Sequence, residues 1–134
     1  MIDYRSFLDK IWEAMPRDEF ILMASDPRCL GNEQHLVRLS KWEKVSDDQI
    51  VGQHQLRVVH QRYTDDSLKE VAVKGHAPGT ATTWYTKVEG EWKFAGVCPK
   101  ISWTEFDYDQ VFADGEENFG ENGGNGQSGE NGEN

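Results

Sequence analysis

The chain has 134 residues, with 14 Lys and Arg against 24 Asp and Glu, a formal charge of −10 and two cysteines. That length makes one domain with a single core, and its acidity excludes a nucleic-acid-binding domain, which needs clustered basic charge to displace phosphate counterions, and disfavours anionic membrane surfaces. Cys29 and Cys98 have neither C-x-x-C spacing nor a histidine at metal-ligand spacing, so they read as reduced thiols, with no metal site and no disulfide framework.

Taken in order, the first element is Ser6 to Met15, where Phe7, Leu8, Ile11, Trp12 and Met15 recur at the three-and-four spacing of an amphipathic helix. Pro16 closes it or opens the next, a short helix over Asp18 to Ser25 ended by Asp26-Pro27. Leu30-Gly31-Asn32 is a turn. The pattern then changes to strands. His35 to Val45 is the first, Ser46-Asp47-Asp48 its turn, and Ile50 to Tyr63 the longest run in which apolar and β-branched residues alternate with polar ones. Because strand side chains alternate, Leu56, Val58 and His60 share a face. A histidine at the end of an apolar strip suits the floor of a pocket, where desolvation tunes it for proton transfer; a core histidine bonded to backbone is the other reading.

Lys69 to Ala77 is a further strand, Ala77-Pro78-Gly79 interrupts it, and Thr80 to Val88 resumes. Glu89-Gly90 is a two-residue hairpin connection into Glu91 to Val97, and Pro99 ends the sheet. Asp107 to Phe112 reads as a short helix folding Tyr108, Val111 and Phe112 back onto it, with Asp107 and Asp109 at its start, where the macrodipole favours negative charge. Helices first and an antiparallel sheet afterwards make the fold α+β. Gly, Asn, Glu, Gln and Ser make up all of residues 115–134 except Phe119, so the domain is expected to span 1–114 and an acidic tail 115–134 to be disordered. No apolar run reaches the length of a membrane span, and Met1-Ile-Asp-Tyr-Arg offers no apolar signal core; a cytoplasmic protein is expected.

Several longer stretches are more specific: Ile2-Asp-Tyr-Arg-Ser-Phe-Leu-Asp-Lys-Ile-Trp-Glu-Ala-Met-Pro16, Lys41-Trp-Glu-Lys-Val-Ser46, His54-Gln-Leu-Arg-Val58, His60-Gln-Arg-Tyr63, Lys74-Gly-His-Ala77, Trp92-Lys-Phe-Ala-Gly96 and Phe112-Ala-Asp-Gly115. In order and spacing, from Ile2 to about Phe119, the chain resembles the scytalone dehydratases, fungal lyases of melanin synthesis. The resemblance implies a cone-shaped fold of the nuclear-transport-factor-like superfamily, with a curved antiparallel sheet around a pocket, assembled as a homotrimer. It also implies a small-molecule polyketide substrate, loss of water from scytalone to 1,3,8-trihydroxynaphthalene and from vermelone to 1,8-dihydroxynaphthalene, and no metal or organic cofactor.

Carried over position by position, Tyr4 matches the tyrosine that polarises the substrate ketone through a water, and His35 and His60 match the two pocket histidines. Phe7, Met23, Leu30, Leu56, Val58, Ile101, Tyr108 and Phe112 match the substrate-binding wall, with Tyr108 where the family has Phe. The chain departs from the family in three places. Two helices bearing a second tyrosine and an aspartate of the site precede the equivalent of Ile2 in the family and are absent here, so the chain is expected to be N-terminally truncated and to leave apolar surface exposed. The family's site serine and asparagine align with Gly79 and Ala81, which would enlarge the pocket and remove side-chain hydrogen bonds. A few residues are missing between Leu30 and His35, which bears on where the first histidine sits. Three readings result: an active dehydratase, a truncated or degenerate cone that binds a small aromatic polyketide, or an N-terminally incomplete version of an enzyme. Outside the site, His54 and His76 read as structural histidines, and Trp42, Trp84, Trp92 and Trp103 as core or subunit-interface residues.

Overall fold

The computed structural model describes residues 1–25, 32–65 and 67–113. Leu30, the Asp26-Pro27 stop and the acidic tail lie outside them. The elements are β1 (Ile2–Asp3), β2 (Ile11–Trp12), α1 (Arg17–Ser25), β3 (Asn32–Ser46), β4 (Gln49–Tyr63), β5 (Val71–Val88), β6 (Glu91–Ile101), β7 (Glu105–Phe106) and α2 (Tyr108–Val111). One curved sheet in the order β2-β1-β6-β5-β4-β3, with β7 beside β5, accounts for most of the described residues; every pairing is antiparallel except β1 with β6. No helix among the described residues is long and apolar enough to cross a membrane.

The long strands follow from alternation and turn chemistry. Glu89 and Gly90 both have positive φ, 52° and 86°, which is the backbone of a type I′ hairpin whose twist matches that of β5 and β6. In β4, Leu56, Val58 and His60 are buried on one face, and His54 continues the same row. Pairing extends this row sideways: Val58 faces His35 on β3 and Ala77 on β5, while His60 faces Glu33 and Gly75. Beside the row, β5 presents the small residues Gly75, Ala77, Gly79 and Ala81. A Cβ on Gly75 would lie 2.7 Å from the Tyr108 Cα, so that glycine is what lets α2 close against the sheet.

Three expectations are overturned. Ser6 to Met15 is not a helix. Phe7 and Leu8 donate to the Tyr4 carbonyl in a single turn, Asp9 takes φ 52°, and Ile2 pairs with Trp12 across the resulting hairpin. Its apolar spacing serves two clusters instead of one helix face: Phe7 packs with Tyr108 and Phe112, Met15 packs with Ile2 and Trp12, and Leu8 touches both groups.

Pro78 does not interrupt, since β5 runs unbroken through it. Its carbonyl accepts from the Ser102 N–H, so its nitrogen side faces the gap between the end of β6 and the start of β7, where no ladder bond is required. Pro99 likewise does not end β6. Its carbonyl accepts from the Ser6 hydroxyl, so its nitrogen side faces away from β5 and past the end of β1. The tryptophans are also less buried than a core role implies: Trp42, Trp92 and Trp103 are exposed among the described residues, as are Leu36, Val37 and Leu39 on the edge strand β3.

Candidate active site

The row of inner-face residues ends at a cavity of about 70 Å³. Each side of it has a different origin. β3 supplies Glu33 and His35; β4 supplies Leu56, Val58 and His60; β6 supplies Pro99 and Ile101. Tyr4 and Phe7 enter from the N-terminal hairpin, and Tyr108 and Phe112 close the cavity from α2 and the residue that follows it.

The N-terminal wall is held by several bonds. The Met1 ammonium donates to the Ala95 carbonyl (3.0 Å) and the Val97 N–H to the Met1 carbonyl (3.1 Å), which fixes β1 on β6. Arg5 donates to both Asp3 carboxylate oxygens (2.9 and 2.7 Å), and this pairing holds the Asp3 carboxyl down at about 2. Tyr4, between those two residues, is thereby placed with its ring 5.0 Å from Phe7 and edge-on to Trp12 at 6.0 Å. Burial, with a smaller effect from the negative charge of Glu33, pushes the Tyr4 hydroxyl up to about 12, so it stays protonated and can donate. Tyr108 is shifted upward by the same two causes, with Asp109 adding to them.

His60 lies inside, 4% exposed, with the rings of Phe112 and Tyr108 edge-on at 5.1 and 5.8 Å. His35 stands at the rim, its side chain 48% exposed. Between them is Glu33. Its Oε1 is 3.5 Å from His35 Nδ1 and its Oε2 is 3.5 Å from His60 Nδ1. Burial pushes the Glu33 carboxyl up to about 7, and burial moves His35 downward. A carboxyl raised to about 7, placed between two imidazoles and beside a tyrosine that stays protonated, can act as an acid–base unit with a fixed donor next to it.

Of the site residues named from sequence, the structure brings Tyr4, Phe7, His35, Leu56, Val58, His60, Ile101, Tyr108 and Phe112 to this one cavity. Met23 is elsewhere: it extends from α1 onto the Ile2–Trp12 cluster. Sequence reasoning missed Glu33 and Pro99. Glu33 was excluded by starting the first strand at His35; since β3 begins at Asn32, alternation puts Glu33 on the face of His35.

Gly79 does not enlarge the cavity as its composition suggests. A Cβ there would collide with the Lys100 carbonyl oxygen, so the space is already filled by β6 backbone. Ala81 is buried with Leu56 and Val58. Outside the site, His54 is held by the hydroxyls of Ser40 (2.8 Å) and Thr83 (2.9 Å), and His76 lies 3.3 Å from Glu105 on the surface. Among the described residues no group of three His, Cys, Asp or Glu side chains is placed to hold a metal ion.

Comparison with known proteins adds to this geometry. The sequence profile of the family described as scytalone dehydratase matches residues 1–119. The chain is 72% identical over 127 residues to the dehydratase AgnL8 of Paecilomyces divaricatus, covering 92% of this chain and 73% of that one. It is 63% identical to the scytalone dehydratase PfmaJ of Pestalotiopsis fici and 61% identical to a scytalone dehydratase of Colletotrichum orbiculare, covering 89% of this chain in both cases and 64% and 65% of theirs. The chain thus spans about two thirds of the length of these relatives. Among solved structures, the Kfla4162 protein of Kribbella flavida superposes with a TM-score of 0.66 at 14% identity, over 84% of this chain and 74% of the other, which bears on the fold alone.

Proposed function

The chain belongs to the scytalone dehydratase family, and from that premise we propose that it eliminates water from a cyclic β-hydroxy ketone of polyketide origin, scytalone and vermelone being the reference substrates. The observation that carries this reading is the convergence of Tyr4, His35 and His60 on one apolar cavity. Dehydration needs a base for the proton α to the carbonyl, a donor to the carbonyl oxygen as enolate charge grows, and an acid for the departing hydroxyl. His35 takes the α-proton. The C–H electron pair moves toward the carbonyl, whose oxygen is stabilised by the Tyr4 hydroxyl through a water, and returns to form the C=C bond as the β C–O bond breaks. The departing hydroxyl takes a proton from the His35–His60 pair, which the α-proton has charged, and leaves as water with His60 at the leaving-group side. The reaction is redox-neutral and balances without a cofactor.

A second reading, a cone that binds an aromatic polyketide and turns it over poorly or not at all, is favoured by two observations. Neither Gly79 nor Ala81 offers a side-chain hydrogen bond to a substrate hydroxyl, and a cavity of about 70 Å³ is small for a bicyclic ketone. The exposed tryptophans and the unpaired edge of β3 support self-association, which we read as a homotrimer. The test is an assay of purified protein with scytalone, following trihydroxynaphthalene absorbance, alongside His35→Ala and His60→Ala. Turnover lost in both variants supports the dehydratase. Binding of scytalone by folded protein without turnover supports the second reading. Light scattering on the same sample reads the oligomeric state.

A further inference from the structure

Glu33 places one carboxylate oxygen 3.5 Å from each of the two histidines, and its position is set by sheet geometry. It precedes His35 by two residues on β3 and is the register partner of His60 on β4, so alternation along one strand and pairing across two bring a carboxyl between the imidazoles. One oxygen faces each Nδ1, at 3.5 Å. At 3.5 Å these are ion-pair separations rather than hydrogen bonds, so proton transfer along them requires the groups to draw together when substrate binds, as catalytic groups commonly do.

We propose that Glu33 joins His35 and His60 into a single proton relay, so that the proton taken from the substrate by one imidazole is matched by a proton delivered to the leaving hydroxyl by the other. The inference rests on the dehydratase reading and deepens it. In the starting state His35 carries its proton on Nδ1, Glu33 on Oε2 and His60 on Nε2. The α-proton arrives at His35 Nε2 as the Nδ1 proton passes to Glu33 Oε1. The Oε2 proton passes to His60 Nδ1, and the His60 Nε2 proton goes to the hydroxyl, which leaves as water. Each of the three groups receives one proton and gives up one, so no charge accumulates in the cavity.

A carboxyl pushed up to about 7 by burial is suited to this role, since its two protonation states are close in energy near neutrality. The titratable groups that face it are His35 on its own strand, His60 on β4, Tyr4 from the N-terminal hairpin and Tyr108 on α2; both tyrosines stay protonated, which leaves the carboxyl and the imidazoles as the exchanging set. Glu33 is thus a relay and positioning residue acting through the histidines.

Two measurements test this. In the wild type, ring ¹⁵N NMR of labelled histidines across neutral pH is expected to show His35 and His60 titrating in coupled steps; independent single titrations of the two rings would overturn the relay. Then Glu33→Gln, which preserves shape and hydrogen-bonding capacity but cannot exchange a proton, is expected to lower kcat on scytalone by about 100-fold or more while leaving KM within about 3-fold, to remove the limb of the pH–rate profile near 7, and to be partly rescued by Glu33→Asp. A Gln variant with kcat within about 3-fold of wild type and an unchanged pH profile would overturn it. Wild-type protein that leaves scytalone untouched would instead count against the dehydratase reading, and the NMR titration would still decide whether Glu33 couples the rings.

Discussion

His54 and His60 stand on the same strand and the same face, six residues apart and both at least nine-tenths buried. Their surroundings make them different chemical objects. Both ring nitrogens of His54 meet hydroxyls, those of Ser40 and Thr83, and its ring packs edge-on against Trp42 at 5.0 Å. Hydroxyls can donate or accept but carry no charge near neutrality, so this ring is held in place by neutral partners on both nitrogens. His60 faces a carboxyl that burial has moved to about 7, and through it a second imidazole. Burial is common to the two histidines; a titratable neighbour is what separates the ring proposed to react from the other.

The comparison breaks most readily through activity. Removing either site ring should cost the most: His35→Ala and His60→Ala are each expected to lower kcat/KM on scytalone by about 10³-fold or more, measured by product absorbance. Tyr4→Phe, which keeps the ring but deletes the donor, is expected to lose about 10²-fold, mainly in kcat. At the other end of the row, His54→Ala should leave kcat/KM per folded molecule within about 3-fold while lowering stability by about 2 kcal/mol, since it strands the two hydroxyls and removes a packed ring. A loss of turnover in that variant comparable to His60→Ala would erase the distinction.

Gly79→Ser sharpens a separate point. If β6 backbone fills the space beside Gly79, the serine should destabilise the fold by about 2 kcal/mol in denaturant unfolding; a neutral result would mean that the sheet yields there and the family's serine could be restored.

The smallest expected effect is a pH dependence. Glu33 has a folded-state pKa of about 7, above its ordinary value of 4.5, so the folded state binds its proton more tightly than the unfolded chain does. Its stabilising contribution is fully present below about 4.5 and is lost as pH rises through 7. Because the carboxyl is partly reached by solvent, the change is about 1–2 kcal/mol, less than the shift alone would give. Unfolding at pH 5 and pH 8 should show it, and Glu33→Gln should flatten it.

The molecule also shows where sequence reasoning succeeds and where it fails. The hairpin at Glu89-Gly90 and the alternating face of β4 were legible because both are local: two residues able to take positive φ, and a period of two. Ser6 to Met15 misled because apolar spacing records how often a chain meets a core, not how many cores it meets. Pro78 and Pro99 misled because a missing N–H matters only on the side where a neighbouring strand would use it.

By itself the sequence determined the family and the sheet-rich α+β class, and it named the tyrosine and two histidines that the sheet brings to one cavity, because these reside in residue types and their order along the chain. It could not place Glu33 between those histidines, fill the space beside Gly79 with the Lys100 carbonyl, or separate His54 from His60. Each of these depends on which residues face one another across paired strands. Register is fixed only when the whole sheet closes over its core, so the grouping of these side chains was decided by the tertiary structure.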